Sequence, residues 1–409
     1  MPLPLEGVRI LDVSWIVAGP LAGRLLADFG AEVIKIESST RVDGARWNGV
    51  HLFGQLPDDA NRDPNSGGYF QDVSGGKLSC TLNLGLPEGR DLLMRLVAVS
   101  DAIICNLGGD QLDRWGIGYD QARELNPRII VLNMPTMESH GPRRNWSAYG
   151  DEFAAVSGLK SVSGNPGDAP LLFGHHYPDF GPNPIHGAIA LLAARHHRDQ
   201  TGEGQFIELS QYESTASVLG PSVVQFTANG QVPGSAGNHS EQACPHNIYR
   251  CAGDDAWCAI TVFDDNQWLR LVTREGLEAL LRPELATLSG RKANESEIDL
   301  VLEAWTRNWD RQVLAAALQA DQVPAGPLQF IDEAVHIDPV LGDAYFHRIT
   351  DHPSGREFLQ HPNPATMWRN PAQPRRAPVL GEHTAEVLSR VLGLTNEEIS
   401  EYAARAALE

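Results

Sequence analysis

Apolar and polar positions alternate between two periods over the first 135 residues. Val8–Val13 is a short apolar run that predicts a buried strand. Ala22–Phe29 has helical spacing, and Glu32–Ile36 reads as a strand again. Leu78–Leu82, Ala102–Cys105 and Ile129–Leu132 are further strand runs, and Pro87–Val99 is a helix that opens with proline. Strands alternating with helices predict an open parallel sheet with helices on its faces, an α/β fold.

A helix-rich block begins near Pro182. Pro184–Arg198 has apolar residues at helical spacing with cations in its last turn, where they oppose the helix dipole. Thr201–Gly204 is a turn, Gln205–Leu209 alternates like a strand, and Gln211–Thr227 is predicted as one helix. Composition shifts at Asn229–His239, the best linker candidate. Trp257–Phe263 then reads as a strand, followed by amphipathic helices to about Gln319. The proline-rich stretch from His352 to Pro378 suggests a second, extended linker. Thr384–Leu392 and Asn396–Ala407 are the last two predicted helices.

The length of 409 residues allows two or three domains. Acidic residues outnumber basic ones 52 to 32, a formal charge of −20. Such a surface repels nucleic acid and anionic lipid, so neither is an expected partner, and an anionic ligand needs locally gathered basic groups. Five cysteines, an odd number, do not form a disulfide framework. The start has no secretory pattern and no apolar run reaches membrane-spanning length, so a cytoplasmic location is expected.

Gly19, Gly23 and Gly30 do not have the spacing of a dinucleotide-binding turn. Glu37, placed where a ribose-binding acid would stand, therefore carries little weight. Cys244, Cys251 and Cys258 lie seven apart with no ligand pair two to four residues apart, so no metal site is expected. In HHYPDFGPNPIHGAIALLAARHHR, Asp179 sits in a Pro/Gly-bracketed turn before a helix. The helix terminus would favour its ionised form, suited to a nucleophile. Its alternative duty is to cap that helix. His175 and His176 are candidate acid–base partners. Arg143 and Arg144 suit phosphate binding or simple solvation.

Several long segments in the same order now become informative. They are PLEGVRILDVSWIVAGPLAGRLLADFGAEVIKIE, LNLGLPEGRDLL, LDRWGIGYDQARELNPRII, AARHHRDQTGEGQFIELSQYES, VPAGPLQFIDEAVHIDPVL and APVLGEHTAEVL. Together they resemble the class III CoA-transferases, the CaiB/BaiF family, over essentially the whole chain. The resemblance implies a Rossmann-like large domain (1–228 and 379–409), a linker (229–240), a small domain (241–351) and a return linker (352–378). It also implies an interlocked homodimer with acyl-CoA and a small carboxylic acid as substrates and no permanently bound cofactor.

Asp179 matches the family's catalytic aspartate, ahead of the R-x-x-T-G-x-G-Q pattern at 198–205. In the family this carboxylate attacks the acyl-CoA thioester and passes through mixed-anhydride and aspartyl-CoA intermediates, so neither ATP nor metal is needed. For CoA, the resemblance implies contacts from the backbone of Ile16, Val17 and Ala18, from Leu82 and Leu84 at the adenine, and from Asn106 and Arg114. Ser38 and Ser147 stand where well-known relatives carry basic residues, and Arg41, Arg143 or Arg144 are substitutes for that charge. Trp15, Tyr177 and Phe180 are candidates for an apolar acyl pocket. The glycine-rich lid of formyl-CoA transferases is missing, which argues against formyl-CoA:oxalate specificity.

The family also contains α-methylacyl-CoA racemases, similar here in Asp179-Phe180-Gly181. Their histidine partner is matched by Tyr149, a poor base at neutral pH because its ordinary pKa is about 10. Transfer is therefore the favoured expectation. PHNIYRCAGDDAWCAITVF resembles the benzylsuccinate CoA-transferase branch, in which two related subunits pair, so a second subunit is a further expectation.

Overall fold

The computed structural model describes residues 2–47, 63–108, 110–171 and 176–409. Six strands form a wholly parallel sheet: β1 (Arg9–Asp12), β2 (Glu32–Glu37), β3 (Leu78–Thr81), β4 (Ala102–Cys105), β5 (Ile130–Asn133) and β6 (Phe206–Glu208). Their order is β3-β2-β1-β4-β5-β6, that of doubly wound folds, with the switch of direction between β1 and β4. Leu11 lies opposite Ile34 and Ile103, and Ile103 opposite Val131.

Alternate residues of these strands feed two cores because successive side chains leave opposite faces. Leu11, Ile34, Ile103 and Val131 pack on one side with Leu92, Leu93 and Leu96 of the Pro87–Ala98 helix and with Val387 and Leu388. Ile10, Val33, Ile104, Ile130 and Leu132 face the other way. They meet Ala22 and Leu26 of α1 (Ala18–Ala27) and Ala188, Leu191 and Ala194 of the Pro182–Thr201 helix. Burial on both faces explains why these strands read as mainly apolar runs, interrupted by the buried polar residues Asp12, Lys35 and Ser79.

Two compact units are present. The first comprises Met1–Lys160, Leu172–Gln231 and Asp343–Glu409; the second comprises Ser161–Leu171 and Val232–Gly342. Within the first, the proline-rich segment is hydrogen-bonded to its neighbours: Gly76 N–H donates to Arg376 O (3.0 Å) and Gln373 N–H to Asp28 O (3.0 Å).

The second unit has an antiparallel sheet of β7 (His246–Arg250), β8 (Trp257–Thr261) and β9 (Ala325–Pro327), in that order. Its helices pack around Tyr249, Ile260, Trp268, Leu302, Trp305 and Leu314. Cys244, Cys251 and Cys258 are buried in this core, and burial pushes the Cys244 and Cys258 thiols up to about 12.

Two expectations from pattern need correction. Gln211–Thr227 is two helices, Gln211–Ser217 and Gly220–Asn229. The second restarts at Gly220-Pro221, where proline has no N–H to continue the first. Strand β7 escaped prediction because HNIYR is an edge strand with little apolar contrast. Among the described residues no helix is long and apolar enough to cross a membrane.

Candidate active site

The turn after β1 lies at the switch point, where α/β sheets place ligand sites. Its backbone groups are taken up one by one. Ser14 N–H donates to Asp12 Oδ1 (3.0 Å), and Ile16 N–H to Asp43 Oδ1 (2.8 Å). The Asn106 amide grips Trp15 twice, accepting from its N–H and donating to its carbonyl, both at 2.8 Å. No side chain caps α1, and no acid occupies its first turn. Its leading N–H groups therefore carry partial positive charge with no acid in the helix's own first turn to meet it.

Asp179 lies on a single helical turn, Tyr177–Phe180, and is 5% exposed. It does not cap the helix that follows, whose N-cap is Gly181. Instead Gly150 N–H, at the start of the Gly150–Val156 helix, donates to Asp179 Oδ2 (2.9 Å). A Cβ at Gly150 would stand 2.8 Å from His176 Cβ and 2.9 Å from Asp179 Oδ2, so only glycine lets this backbone come so close. The expected ionising influence of the helix terminus is overridden. Burial pushes Asp179 up from 3.8 to about 6, against the Gly150 hydrogen bond and the field of His176.

Besides a cavity of about 600 Å³ at the ends of β5 and β6, lined by Asn133, Arg144 and Glu208 among others, two adjoining cavities open along the carboxyl ends of the strands. One, of about 460 Å³, is lined by Asp179, Tyr149, Glu152, Ser147, Asn106 and the Trp15–Ala18 turn. The other, of about 490 Å³, is lined by Leu82, Leu84, Ile36, Ser38, Arg41 and Trp115, among others. Trp15, Leu107 and Gly108 belong to both, so the two share a wall.

Comparison with known proteins assigns the chain to a family. A family model described as CoA-transferase family III matches residues 5–384. The chain belongs to CoA-transferase family III.

It is 30% identical over 390 residues to a succinate–glutarate CoA-transferase of Agrobacterium fabrum, covering 95% of this chain and 96% of that one. It is 31% identical over 416 residues to a succinyl-CoA–L-malate CoA-transferase beta subunit of Chloroflexus aurantiacus, covering 98% and 96%. A solved CaiB/BaiF family protein from Brucella suis superposes with a TM-score of 0.85 at 29% identity, over 96% of this chain and all of that one.

As a family III enzyme, the chain brings most of its expected site residues together. Ile16, Val17, Ala18, Asn106 and Tyr149 share the cavity of Asp179, while Leu82, Leu84 and Arg41 line its neighbour, and Trp15 lines both. The Arg41 guanidinium lies 5.1 Å from the centre of the Trp15 ring. Asn106 spends its amide on Trp15, so it shapes the turn.

Arg114 lines neither cavity. It is 60% exposed and paired with Asp110 (3.4 Å). Arg143 stacks against Trp146 and Tyr212 at 5.2 and 5.7 Å. Phe180 packs on Tyr69 (5.9 Å) and Tyr177 lines neither cavity, so of the three aromatic candidates Trp15 alone faces the site. Tyr149 is 55% exposed, with its ring 6.2 Å from that of His176. His176 Nδ1 is buried with no hydrogen-bond partner among the described residues, and His175 lies outside them.

Sequence reasoning missed the charges buried beneath the turn. Lys77 Nζ binds Asp12 Oδ2 and Pro20 O, both at 2.7 Å; Lys35 Nζ binds Ser14 O (2.7 Å) and Asp43 Oδ2 (3.0 Å). Burial raises Asp12, but the ammonium groups of Lys35 and Lys77 outweigh it and hold the carboxylate below its ordinary range. Glu37 is engaged by Arg46 (2.7 and 2.8 Å) and the Ser79 hydroxyl (2.6 Å), which accounts for it without a ribose.

Glu409 was missed as well. Its carboxylate accepts from Ser38 Oγ (2.6 Å), Ser39 N–H (2.6 Å), Thr40 N–H (3.3 Å) and Thr40 Oγ1 (3.1 Å). Position 38 thus holds an internal anion at the edge of the cavity lined by Leu82 and Arg41.

Proposed function

We propose that the enzyme moves CoA from an acyl-CoA donor to a carboxylic acid, with Asp179 as nucleophile. The observation that carries the reading is the Asp179 carboxylate itself. It is nearly buried, steadied on one oxygen by Gly150 N–H, and set in the wall of a cavity with the N-terminus of α1. Among the described residues its other oxygen has no hydrogen-bond partner. A carboxylate raised to about 6 remains mainly ionised at neutral pH, and it is more basic than a solvated one.

The carboxylate oxygen attacks the thioester carbonyl and CoA leaves as its thiolate, forming an acyl-aspartyl anhydride. The thiolate returns to the aspartyl carbonyl and releases the donor acid, giving an aspartyl-CoA thioester. The acceptor carboxylate attacks that thioester and expels the thiolate again. Attack of the thiolate on the acyl carbonyl of this second anhydride yields the new acyl-CoA and regenerates Asp179.

Each tetrahedral intermediate carries an oxyanion. The uncapped N–H groups that open α1, beside Val17 and Ala18, are suited to receive it. The neighbouring cavity, with Leu82, Leu84 and the Arg41–Trp15 stack, suits the adenine and phosphates of CoA. Relatives named for succinyl or succinate transfer make succinyl-CoA the first donor to try.

An interlocked homodimer is part of the same reading. Ile185, Ile189 and Leu192 form an exposed stripe at i, i+4 and i+7 on the Pro182–Thr201 helix, and the Gly220–Asn229 helix has no buried residue yet carries Val223, Val224 and Phe226. A second copy of the chain would cover these faces. A linked dimer keeps twice the 44.6 kDa chain mass on dilution, measured by light scattering.

The deciding experiment is intact-protein mass spectrometry after incubation with succinyl-, acetyl- and aryl-CoA, with hydroxylamine trapping. A hydroxamate at Asp179 is the expected result. No adduct, together with α-proton exchange in D₂O, would replace transfer by racemisation.

A further inference from the structure

The turn joining the two cavities contains Ile16 at φ 62°, a left-handed conformation that a β-branched residue rarely adopts. Such a conformation persists only where surrounding contacts over-determine it. Asn106 fixes Trp15, the preceding residue, but Ile16 N–H is held by Asp43 Oδ1 (2.8 Å). Asp43 follows β2, outside the strand–turn–helix unit it controls. It is almost fully buried and lines neither cavity.

The same Asp43 oxygen also accepts from Ala45 N–H (3.0 Å), which fixes its direction. The other oxygen faces Lys35 Nζ at 3.0 Å, and Lys35 in turn donates to Ser14 O at 2.7 Å. Asp43 and Lys35 therefore grip the backbone on either side of Trp15, one at Ile16 N–H and one at Ser14 O. Lys35 is wholly buried, so the pair is shielded from water and Asp43 cannot lose it without leaving its own buried charge uncompensated.

We propose that Asp43, supported by Lys35, is a positioning residue for the transfer reaction. It holds Ile16 left-handed and so sets the direction of the Ile16–Ala18 backbone that lines the Asp179 cavity. The inference rests on the reading of Asp179 as nucleophile. It assigns a function to a side chain that touches no substrate.

The test compares wild type, Asp43→Ala and the double variant Asp43→Asn/Lys35→Met. Asparagine keeps the oxygen that accepts from Ile16 and Ala45, and methionine removes the charge that would face its amide. Single-turnover formation of the Asp179 adduct at saturating succinyl-CoA is measured alongside hydrogen–deuterium exchange of residues 13–20. Asp43→Ala is expected to slow adduct formation by about tenfold to a hundredfold. Faster exchange confined to 13–20 should accompany it, with the double variant, which keeps the acceptor for Ile16 N–H but loses the Lys35–Ser14 O bond, recovering part of both. A purely structural role would instead raise exchange across the first unit and lower the amount of active enzyme without changing its rate constant; that result overturns the proposal, as does an unaltered rate in Asp43→Ala. If wild type forms no adduct with any donor, the transfer reading fails by itself. The exchange data still decide whether Asp43 holds the turn, and unchanged exchange at 13–20 refutes it.

Discussion

Replacing Asp179 by asparagine should stabilise the protein while abolishing transfer. The side chain is 5% exposed, and burial lifts its pKa from 3.8 to about 6. At about 1.4 kcal/mol per pH unit, that rise means the ionised carboxylate costs about 3 kcal/mol in the folded state. The sign follows from linkage. A carboxyl whose folded pKa is raised adds most to stability below its unfolded value near 4, and loses that contribution as pH rises through 6. Asparagine has no charge to desolvate, nearly the same shape, and an oxygen that can still accept from Gly150 N–H. Asp179→Asn is therefore expected to gain up to about 3 kcal/mol at pH 7.5, about 3–4 °C in Tm for a chain of this size. The advantage should shrink to nothing near pH 4. Thermal or urea unfolding at fixed protein concentration, repeated from pH 4 to 8, measures it. A variant no more stable than wild type at pH 7.5, or a gain that does not fade on acidification, would refute the claim that burial strains this carboxylate.

Three further outcomes follow from the same geometry. On the proposed mechanism, in which the ionised Asp179 attacks, the pH dependence of kcat/KM should fall on the acid side with an apparent pKa near 6; a limb near 4 would indicate a solvated carboxylate. Gly150→Ala should lower kcat by tenfold or more and cost about 1–3 kcal/mol, because its Cβ meets His176 and Asp179 within 3 Å; wild-type kcat with unchanged stability would contradict the close approach. Glu409→Gln removes a negative charge from the Ser38–Thr40 turn at the edge of the cavity lined by Leu82 and Arg41. Charges of this exposure interact by about 0.5–1 kcal/mol, so the KM for acyl-CoA should fall about two- to fivefold at low salt, with the gain shrinking as salt rises. An increase in KM would mean that Glu409 serves mainly to order the turn.

The α/β architecture was legible because it rests on local periodicity. Strands buried on both faces are apolar runs whatever lies beside them, so β1 to β5 could be read directly, and the helices between them by their spacing. Where local contrast is weak, as in HNIYR at a sheet edge, the same reasoning fails. Asp179 stood out as a candidate through its place before the 198–205 pattern, although its neighbours suggested a capping duty that the structure does not give it.

By itself, then, the sequence determined the strands of the parallel sheet and most of the helices around them, and marked Asp179 as a candidate nucleophile. Tertiary structure alone decided the state of that carboxylate. Its hydrogen-bond donor comes from Gly150, 29 residues away, and its raised pKa comes from burial, a property of everything packed around it. The same holds for Asp43, which reaches Ile16 across 27 residues, and for Glu409, which reaches Ser38 across 371. Lys35 and Asp12 look like ordinary polar interruptions of strands until the fold removes their water. Secondary structure follows from nearest neighbours along the chain, whereas desolvation and charge pairing follow from neighbours in space.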